Sequence, residues 1–330
     1  MKADAEFPPV SVLIISKGRR ALLSEALKSI AAVDYPKEKV QVVVVEDTVQ
    51  PLPPPGVVYI SEDFHGKGRS LMRNVSVRAS TGEILAFTDD DVVMDPAWLK
   101  ELVKPLLDHP DVAGVGGAVL PKNSTLLGLC EYVLGYPGGG LRYTHAAAGK
   151  LVETRYLSTV NCAYRRPALL EAGGFHPQSV LSGEDYILSR EVAKRYRCLF
   201  NPRAIVYHEP VNLRRLFGRF VNFGRGEIEL LGFIDDRLSL VRLMMRESLG
   251  LKYLGFLLVL LLANVNPLWT LVVAAAHYGY LIFSYRFITR YIPRRDVLLA
   301  VPAVRFVSDL GMDWGRVRGL VERLLRGLRG

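Results

Sequence analysis

Short apolar runs alternate with amphipathic segments over residues 9–211. The apolar runs are rich in valine and isoleucine, which is typical of buried strands, and they predict strands at residues 10–15, 40–45, 57–60, 84–87 and 204–207. Apolar positions at helical spacing predict helices at residues 20–32, 70–79 and 186–195. This alternation predicts an α/β domain with a parallel sheet that helices cover on both faces.

The pattern changes near the C-terminus, where two longer apolar runs cover residues 251–265 and 268–284. Asn264, Asn266 and Pro267 interrupt them, which favours a tight helical hairpin in a membrane. A hydrophobic helical dimer interface in a soluble protein is the alternative. We therefore divide the chain into a catalytic domain, residues 1–230, and a C-terminal membrane domain, residues 231–330, with the hairpin at about 251–285.

Basic residues flank the hairpin on both outer sides, and the central turn has no charge. They are Arg237, Arg242, Arg246 and Lys252 before it, and Arg286, Arg290, Arg294 and Arg295 after it. The positive-inside tendency then predicts a cell-membrane protein with its catalytic domain in the cytoplasm. Residues 296–307 suit a re-entrant or interfacial helix. The amphipathic tail, residues 314–330, suits an anionic membrane surface or a solvated helix packed on the catalytic domain.

Composition limits the partners. The chain has 330 residues, half of them hydrophobic, and a net charge of +9, which suits anionic lipids or phosphorylated substrates. It has no finger-type cysteine and histidine spacing and no lysine-rich tail, so we expect no nucleic-acid partner. Three cysteines without metal-type spacing indicate reduced thiols. We expect no cleaved secretion signal, because the first residues lead into no apolar core. A homo-oligomer is left open.

Acidic residues follow two of the predicted strands. Asp89, Asp90 and Asp91 come directly after residues 84–87, and Glu46 and Asp47 end the second strand. Consecutive carboxylates repel one another, and a hard divalent cation would offset that repulsion. The carboxyl ends of parallel strands are where ligands bind in such folds. If the strand continues, Asp89 and Asp91 point the same way. A solvated turn that caps the next helix is the alternative.

The order and spacing of several short segments resemble the inverting glycosyltransferases of family 2, which have the GT-A fold. The matching segments cover roughly residues 9 to 210 and are residues 10–16, 42–47, 66–74, 82–91, 173–175 and 183–185. The resemblance implies a Rossmann-like mixed, mainly parallel sheet with helices on both faces. It also implies transfer of a sugar from a nucleotide donor.

The resemblance assigns donor-side roles to residues in the first half of the chain. Asp47 matches the acid that recognises the base, with Ser16 and Glu46 nearby, although the family usually has Asp where Glu46 stands. Two basic residues after the glycine-rich loop match donor-side cations, and ordinary surface cations are the alternative; they are Lys67 and Arg73.

The same resemblance implies a metal site that holds Mn²⁺ or Mg²⁺. Asp89 and Asp91 match the family's DxD motif: Asp91 would ligate the metal, and Asp89 would contact the ribose or the water shell of the metal. His208 stands where related enzymes have a third metal ligand or a diphosphate contact, although a structural histidine remains the alternative. Arg214 and Arg215 could grip the diphosphate or a lipid phosphate, or be membrane-surface charges.

A second acidic pair, Glu184 and Asp185, stands at the predicted start of a helix. Asp185 matches the family's general base, which deprotonates the acceptor hydroxyl, and Glu184 would help to hold acceptor or donor. A helix cap set against the helix dipole is a compatible structural role.

Together these features predict a metal-dependent inverting glycosyltransferase at the cytoplasmic membrane face. It would move a hexose, mannose or glucose, to a lipid or lipid-linked acceptor, and GDP-mannose is the favoured donor by analogy. A processive polysaccharide synthase is one alternative, although residues 214–219 lack the Gln and Trp of its usual motif. An inactive membrane scaffold with a transferase-like domain is the other.

Overall fold

The computed structural model describes residues 7–64, 68–177, 181–235, 237–262, 266 and 268–327. Contacts group the chain into two units. The first contains Met1–Ser124 and Gly135–Pro210, and the second contains Thr125–Leu134 and Val211–Gly330. Lys67, one of the predicted donor-side residues, lies outside the described residues.

A mixed sheet forms the centre of the first unit. Its strands, among the described residues, are β1 (Val10–Ser16), β2 (Val40–Asp47), β3 (Val58–Glu62), β4 (Ile84–Asp89), β5 (Val92–Met94), β6 (Val112–Pro121), β7 (Val152–Thr154), β8 (Asn161–Arg165) and β9 (Arg197–His208). The spatial order is β3-β2-β1-β4-β8-β6-β9-β5, and β7 pairs with β9. The first four strands in this order run parallel, whereas β8 is antiparallel to both of its neighbours.

Helices cover both faces of this sheet, as predicted. They are α1 (Arg20–Ala31), α2 (Gly68–Ala79), α3 (Trp98–Asp108), α5 (Leu141–Ala147), α6 (Arg166–Glu171) and α7 (Glu184–Ala193). On one face, α1 and α3 bury Leu23 and Trp98 in one apolar core. On the other face, α2 and α7 bury Met72 and Leu188 in a second core. The two cores hold the strand ends in place.

Strand register places the predicted donor-side residues at one edge of the sheet. Ser16 lies opposite Glu46 in the β1–β2 pair, and Ile15 lies opposite Asp89 in the β1–β4 pair. Because β1, β2 and β4 are parallel, their last residues meet at the same edge. Acidic residues that are far apart in the sequence, at the ends of β2 and β4, therefore lie at the same edge of the sheet.

The second unit is helical. Its helices are α4 (Leu126–Leu134), α8 (Leu213–Leu230), α9 (Arg237–Glu247), α10 (Leu249–Leu262), α11 (Trp269–Tyr285) and α12 (Arg295–Gly327). Glycines let α8 and α12 pack closely, since a Cβ on Gly315 would meet the carbonyl oxygen of Val221 at 2.2 Å. Residues 296–307 and the described part of the tail, residues 314–327, belong to one continuous helix, α12, although Pro302 lies within it. Burial of Val297 and Val301 outweighs the helix-breaking tendency of that proline.

Two apolar helices lie within the residues of the predicted hairpin, whose turn residues Asn264 and Pro267 lie outside the described residues. Among the described residues, Trp269–Arg290 is the one helix long and apolar enough to cross a membrane, and little of it is buried. The described part of helix α10 has 14 residues, about 21 Å at a rise of about 1.5 Å per residue. The two helices are joined by a hydrogen bond of 2.7 Å between Tyr253 Oη and His277 Nδ1.

Arginines of α8 and of the tail form ion pairs inside the second unit. Arg316 is buried, with its guanidinium 2.7 Å from Glu227 and 2.9 Å from Asp313. Arg225 on α8 pairs with Glu322 at 2.8 Å. Part of the charge that the tail pattern assigns to a membrane surface is therefore used to hold α8 and α12 together. The membrane role of residues 231–330 stays a prediction.

Candidate active site

The two acids at the end of β2, Glu46 and Asp47, both have partners within the first unit. Asp47 Oδ1 accepts the backbone N–H of Phe64 at 2.9 Å, and its Oδ2 lies 3.3 Å from Lys17 Nζ. Glu46 is almost fully buried, and its Oε2 accepts the hydroxyl of Tyr59. The structure thus brings both acids to the predicted donor side, each oriented by a neighbour.

The three residues of the aspartate triplet, Asp89–Asp91, lie in different surroundings because β4 ends at Asp89. Asp89 Oδ1 lies 3.5 Å from an Arg73 nitrogen, whereas Asp90 and Asp91 both contact Arg19. The continued strand that would point Asp89 and Asp91 the same way does not form, since the chain turns after Asp89. The three carboxylates therefore have different partners.

Asp90 is the buried member of the triplet. It is fully inaccessible, and its Oδ2 accepts the Ser16 hydroxyl at 2.6 Å. Burial raises the pKa of Asp90 to about 6, although Arg19 and Ser16 act in the opposite direction. Ser16 is thus placed to anchor the triplet to β1.

Arg19, in the loop between β1 and α1, is a residue that the sequence reasoning missed. Its Nε donates to Asp90 Oδ2 at 3.2 Å, and its terminal nitrogens reach Asp90 and Asp91. The Arg19 side chain is about half exposed. Burial opposes the charged form of Arg19, but the two carboxylates outweigh it and raise its pKa. Arg19 supplies positive charge where the sequence predicted only a metal.

His208 lies beside Asp91, the last member of the triplet. His208 Nε2 lies 3.8 Å from Asp91 Oδ1, and both side chains are buried. The Glu209 N–H donates to the Asp91 carbonyl at 3.0 Å, which holds the end of β9 against the triplet. A carboxylate and an imidazole suit Mn²⁺.

Asp91 and His208 fit a metal ion that takes only some of its ligands from the protein. Within the described residues, no cluster of three or more Asp, Glu, His or Cys side chains encloses an ion. Mg²⁺ and similar ions commonly take one or two carboxylates and complete their shell with substrate phosphates and water. Asp91 and His208 match that arrangement.

The second acidic pair begins α7, immediately after Gly183. Gly183 has φ of 87°, a left-handed conformation that favours glycine, and the helix starts at Glu184. The Glu184 carboxylate accepts a hydrogen bond from Arg73, a residue of α2 that is only 5% exposed. Arg73 therefore lies between the predicted donor-side acid Asp89 and the predicted base helix.

The environments of the two α7 acids push their pKa values apart. Burial disfavours the charged form of Glu184, but Arg73 outweighs it and lowers the pKa of Glu184. Burial raises the pKa of Asp185 to about 6, and the neighbouring Glu184 charge adds to the rise. Glu184 is thus an anion fixed by Arg73, whereas Asp185 can take and release a proton near neutral pH.

Arg214 and Arg215 belong to the second unit. Both are exposed in the first turn of α8, where the Asn212 side chain caps the helix by accepting the Arg215 N–H at 2.9 Å. Their predicted contact with phosphate stays a prediction.

The first unit therefore combines three chemical features at one sheet edge and the adjoining helix. Paired acids on β2 can accept hydrogen bonds from a base or ribose. Asp91 and His208 can ligate a divalent cation, and Asp185 can act as a base. Arg73 contacts Asp89, the first member of the triplet, and Glu184, the residue before Asp185.

Known proteins share this chain's sequence pattern. A family model described as glycosyltransferase like family 2 matches residues 8–222. A glucosyl-dolichyl phosphate glucuronosyltransferase of Haloferax volcanii is 25% identical over 164 residues, which are 46% of this chain and 50% of that protein. Glycosyltransferase AglE of the same organism is 25% identical over 255 residues, 71% of this chain and 77% of that protein. The chain thus spans about half the length of the first of these relatives.

The structure is also similar to that of mannosyltransferase PcManGT from Pyrobaculum calidifontis, solved in complex with GDP-Man and Mn²⁺. The TM-score is 0.62 at 19% identity, and the match covers 94% of this chain and 88% of that one. This likeness concerns the fold and confirms the predicted GT-A class. With the family model matching well over half of the residues, the chain belongs to glycosyltransferase-like family 2.

Proposed function

We propose that this protein is a metal-dependent inverting glycosyltransferase. It moves a hexose, most favourably mannose from GDP-mannose, to a lipid or lipid-linked acceptor at the cytoplasmic membrane face. The observation that carries the proposal is the link through Arg73, whose guanidinium contacts both Asp89 of the triplet and Glu184 beside Asp185. A donor held at the triplet would then have its anomeric carbon near a base.

Each residue has a defined task in this reaction. Asp47 and Glu46 accept hydrogen bonds from the donor base or ribose, and Asp89 contacts the ribose. Asp185 takes the proton from the acceptor hydroxyl as its oxygen forms a bond to the anomeric carbon. The bond from that carbon to the diphosphate breaks, and the nucleoside diphosphate leaves with the electron pair. One displacement on the opposite face inverts the anomeric configuration.

Asp91 and His208 would hold the metal. When bound, it would supply Lewis-acid stabilisation of the negative charge on the leaving diphosphate. GDP-Man and Mn²⁺ are bound by the PcManGT structure, which supports this donor and this ion for the present chain. The relative that carries dolichyl phosphate in its name supports a lipid-linked acceptor.

The apolar helices support the location of the acceptor. Helix α11 and the turn after it are long enough to span a bilayer, and large apolar side chains on α10 and α11 are exposed. An enzyme anchored in the membrane meets a lipid-linked hydroxyl at the interface. The basic residues on both outer sides of the hairpin support a cytoplasmic location for the first unit.

A transfer assay tests this function. The detergent-purified protein is incubated with Mn²⁺, labelled GDP-mannose or UDP-glucose, and a total lipid extract. We expect label in the lipid phase from one of the two donors and loss of that transfer with EDTA. A long water-soluble polymer would indicate a processive synthase instead. Absence of both transfer and donor binding would favour an inactive scaffold.

Replacing Asp91 with Ala should remove the dependence of donor binding on metal. The variant loses a ligand carboxylate, so the affinity for GDP-mannose in Mn²⁺ should fall by about tenfold or more. Calorimetric titration with and without Mn²⁺ measures the effect. Asp34→Ala is the control, since Asp34 is exposed and pairs only with Lys100 in the described structure. Unchanged affinity in the Asp91 variant would contradict the metal assignment.

A further inference from the structure

A tyrosine outside the motifs that match the family donates a hydrogen bond to the proposed base. Tyr156 Oη lies 2.9 Å from Asp185 Oδ2. The other oxygen, Asp185 Oδ1, accepts the backbone N–H of Tyr186 at 2.8 Å. Both oxygens are oriented by donors, and each still has a lone pair for a substrate hydroxyl.

The segment that contains Tyr156 is fixed to α7 independently of this bond. Ser189 is buried one turn after Asp185, and its hydroxyl donates to the Asp185 carbonyl at 2.7 Å. The same hydroxyl accepts the Leu157 N–H at 3.0 Å. Because the loop and the helix share this serine, the phenol is held in position before any substrate binds.

The charged and titratable groups around Asp185 come from four elements. Glu184 of α7 raises the pKa of Asp185, while Arg73 of α2 lowers it. The Asp185 charge also raises the pKa values of Tyr143 of α5 and of Cys162 and Tyr164 of β8. Burial raises the pKa of Tyr156 well above its usual value, and the Asp185 charge adds to this, so the phenol stays protonated and donates.

We propose that Tyr156 is a positioning residue that orients the Asp185 carboxylate and stabilises its charged form. This inference rests on the proposed function, in which Asp185 is the base. During transfer the acceptor proton moves to a carboxylate oxygen of Asp185, and Tyr156 keeps its own proton. The hydrogen bond is stronger to the carboxylate than to the neutral acid, so Tyr156 lowers the pH at which the base becomes active.

Titration of the Asp185 carboxyl tests the proposal without reference to turnover. Protein labelled with ¹³C at the aspartate carboxyls is titrated by NMR, and Asp185→Asn identifies the signal. In Tyr156→Phe we expect the pKa of Asp185 to rise by about one unit, the effect of one lost hydrogen bond. The acid limb of kcat/KM should shift by the same amount.

Tyr196→Phe is the matched control. Its hydroxyl also donates to a carboxylate, Glu171 Oε2 at 2.7 Å, but at an exposed position elsewhere in the first unit. We expect this variant to leave both the Asp185 titration and the acid limb unchanged. An equal shift in both variants would overturn the specific role of Tyr156.

An unshifted Asp185 titration in folded Tyr156→Phe would also overturn the proposal. If that variant does not fold, 3-fluorotyrosine at position 156 keeps the packing and strengthens the donor. The pKa of Asp185 should then fall, and no movement would contradict the inference. A shifted titration in a protein that transfers no sugar would instead refute the proposed function and leave the contact established.

Discussion

Asp185→Asn lowers kcat by about two to four orders of magnitude, the usual contribution of a general base. The amide keeps the size of the side chain but cannot take a proton from the acceptor hydroxyl. Donor affinity should stay near the wild-type value, because the Arg73–Glu184 pair and the triplet are unchanged. Lipid transfer and calorimetric titration with GDP-mannose measure the two quantities separately.

Asp111→Asn is the control for this substitution. Asp111 is exposed in the same unit, and its carboxylate pairs with Arg197 at 2.8 Å. We expect wild-type turnover from this variant. Turnover within a few-fold of wild type in Asp185→Asn would remove Asp185 as the base.

The pH dependence of kcat/KM tests the assignment of Asp185 as the base in a second way. The pKa of Asp185 is raised to about 6, mainly by burial. A base acts only when it is deprotonated, so kcat/KM should increase as the pH rises through about 6 and level off above it. Asp185→Asn should lack this dependence in whatever residual activity it keeps.

Much of the fold follows from the local pattern of apolar residues. The strands that end at Ser16, Asp47 and Asp89 were predictable because buried strands are short apolar runs, and parallel strands align their ends. The continuity of α12 was not, because the burial of Val297 and Val301 overrides the helix-breaking tendency of Pro302, which follows Val301 directly. Tertiary burial is not visible in local sequence.

The sequence predicts the site residues that belong to a local motif. It does not predict those whose partners are distant in the sequence. Arg19 contacts Asp90 and Asp91, which are more than 70 residues away in the sequence. Tyr156 lies in a loop, 29 residues before Asp185, where no periodicity gives the direction of its side chain. Both were missed because their roles depend on the strand order. It brings β4 beside β1, which precedes Arg19, and beside β8, which follows the loop of Tyr156.

Arg73→Met is expected to destabilise the first unit by about 3–5 kcal/mol. Arg73 is only 5% exposed, and its removal leaves Glu184 buried without its guanidinium, next to Asp185. The contact of Arg73 with the Phe175 ring, 5.7 Å from the centroid, is also lost. Denaturant unfolding followed by circular dichroism gives the change in the free energy of unfolding.

The double variant Arg73→Met, Glu184→Gln separates lost charge pairing from lost packing. The neutral amide no longer needs a cation, so most of the stability should return, whereas activity should not, because the link between Asp89 and Glu184 is gone. Arg197→Met is the matched control, because Arg197 is half exposed and pairs with Asp111 and Glu153. The free energy of unfolding of this variant should stay near that of the wild type. An Arg73→Met protein as stable as wild type would mean that Glu184 is not held as a buried anion. The separation of pKa values between Glu184 and Asp185, on which the assignment of the base depends, would then lose its physical cause.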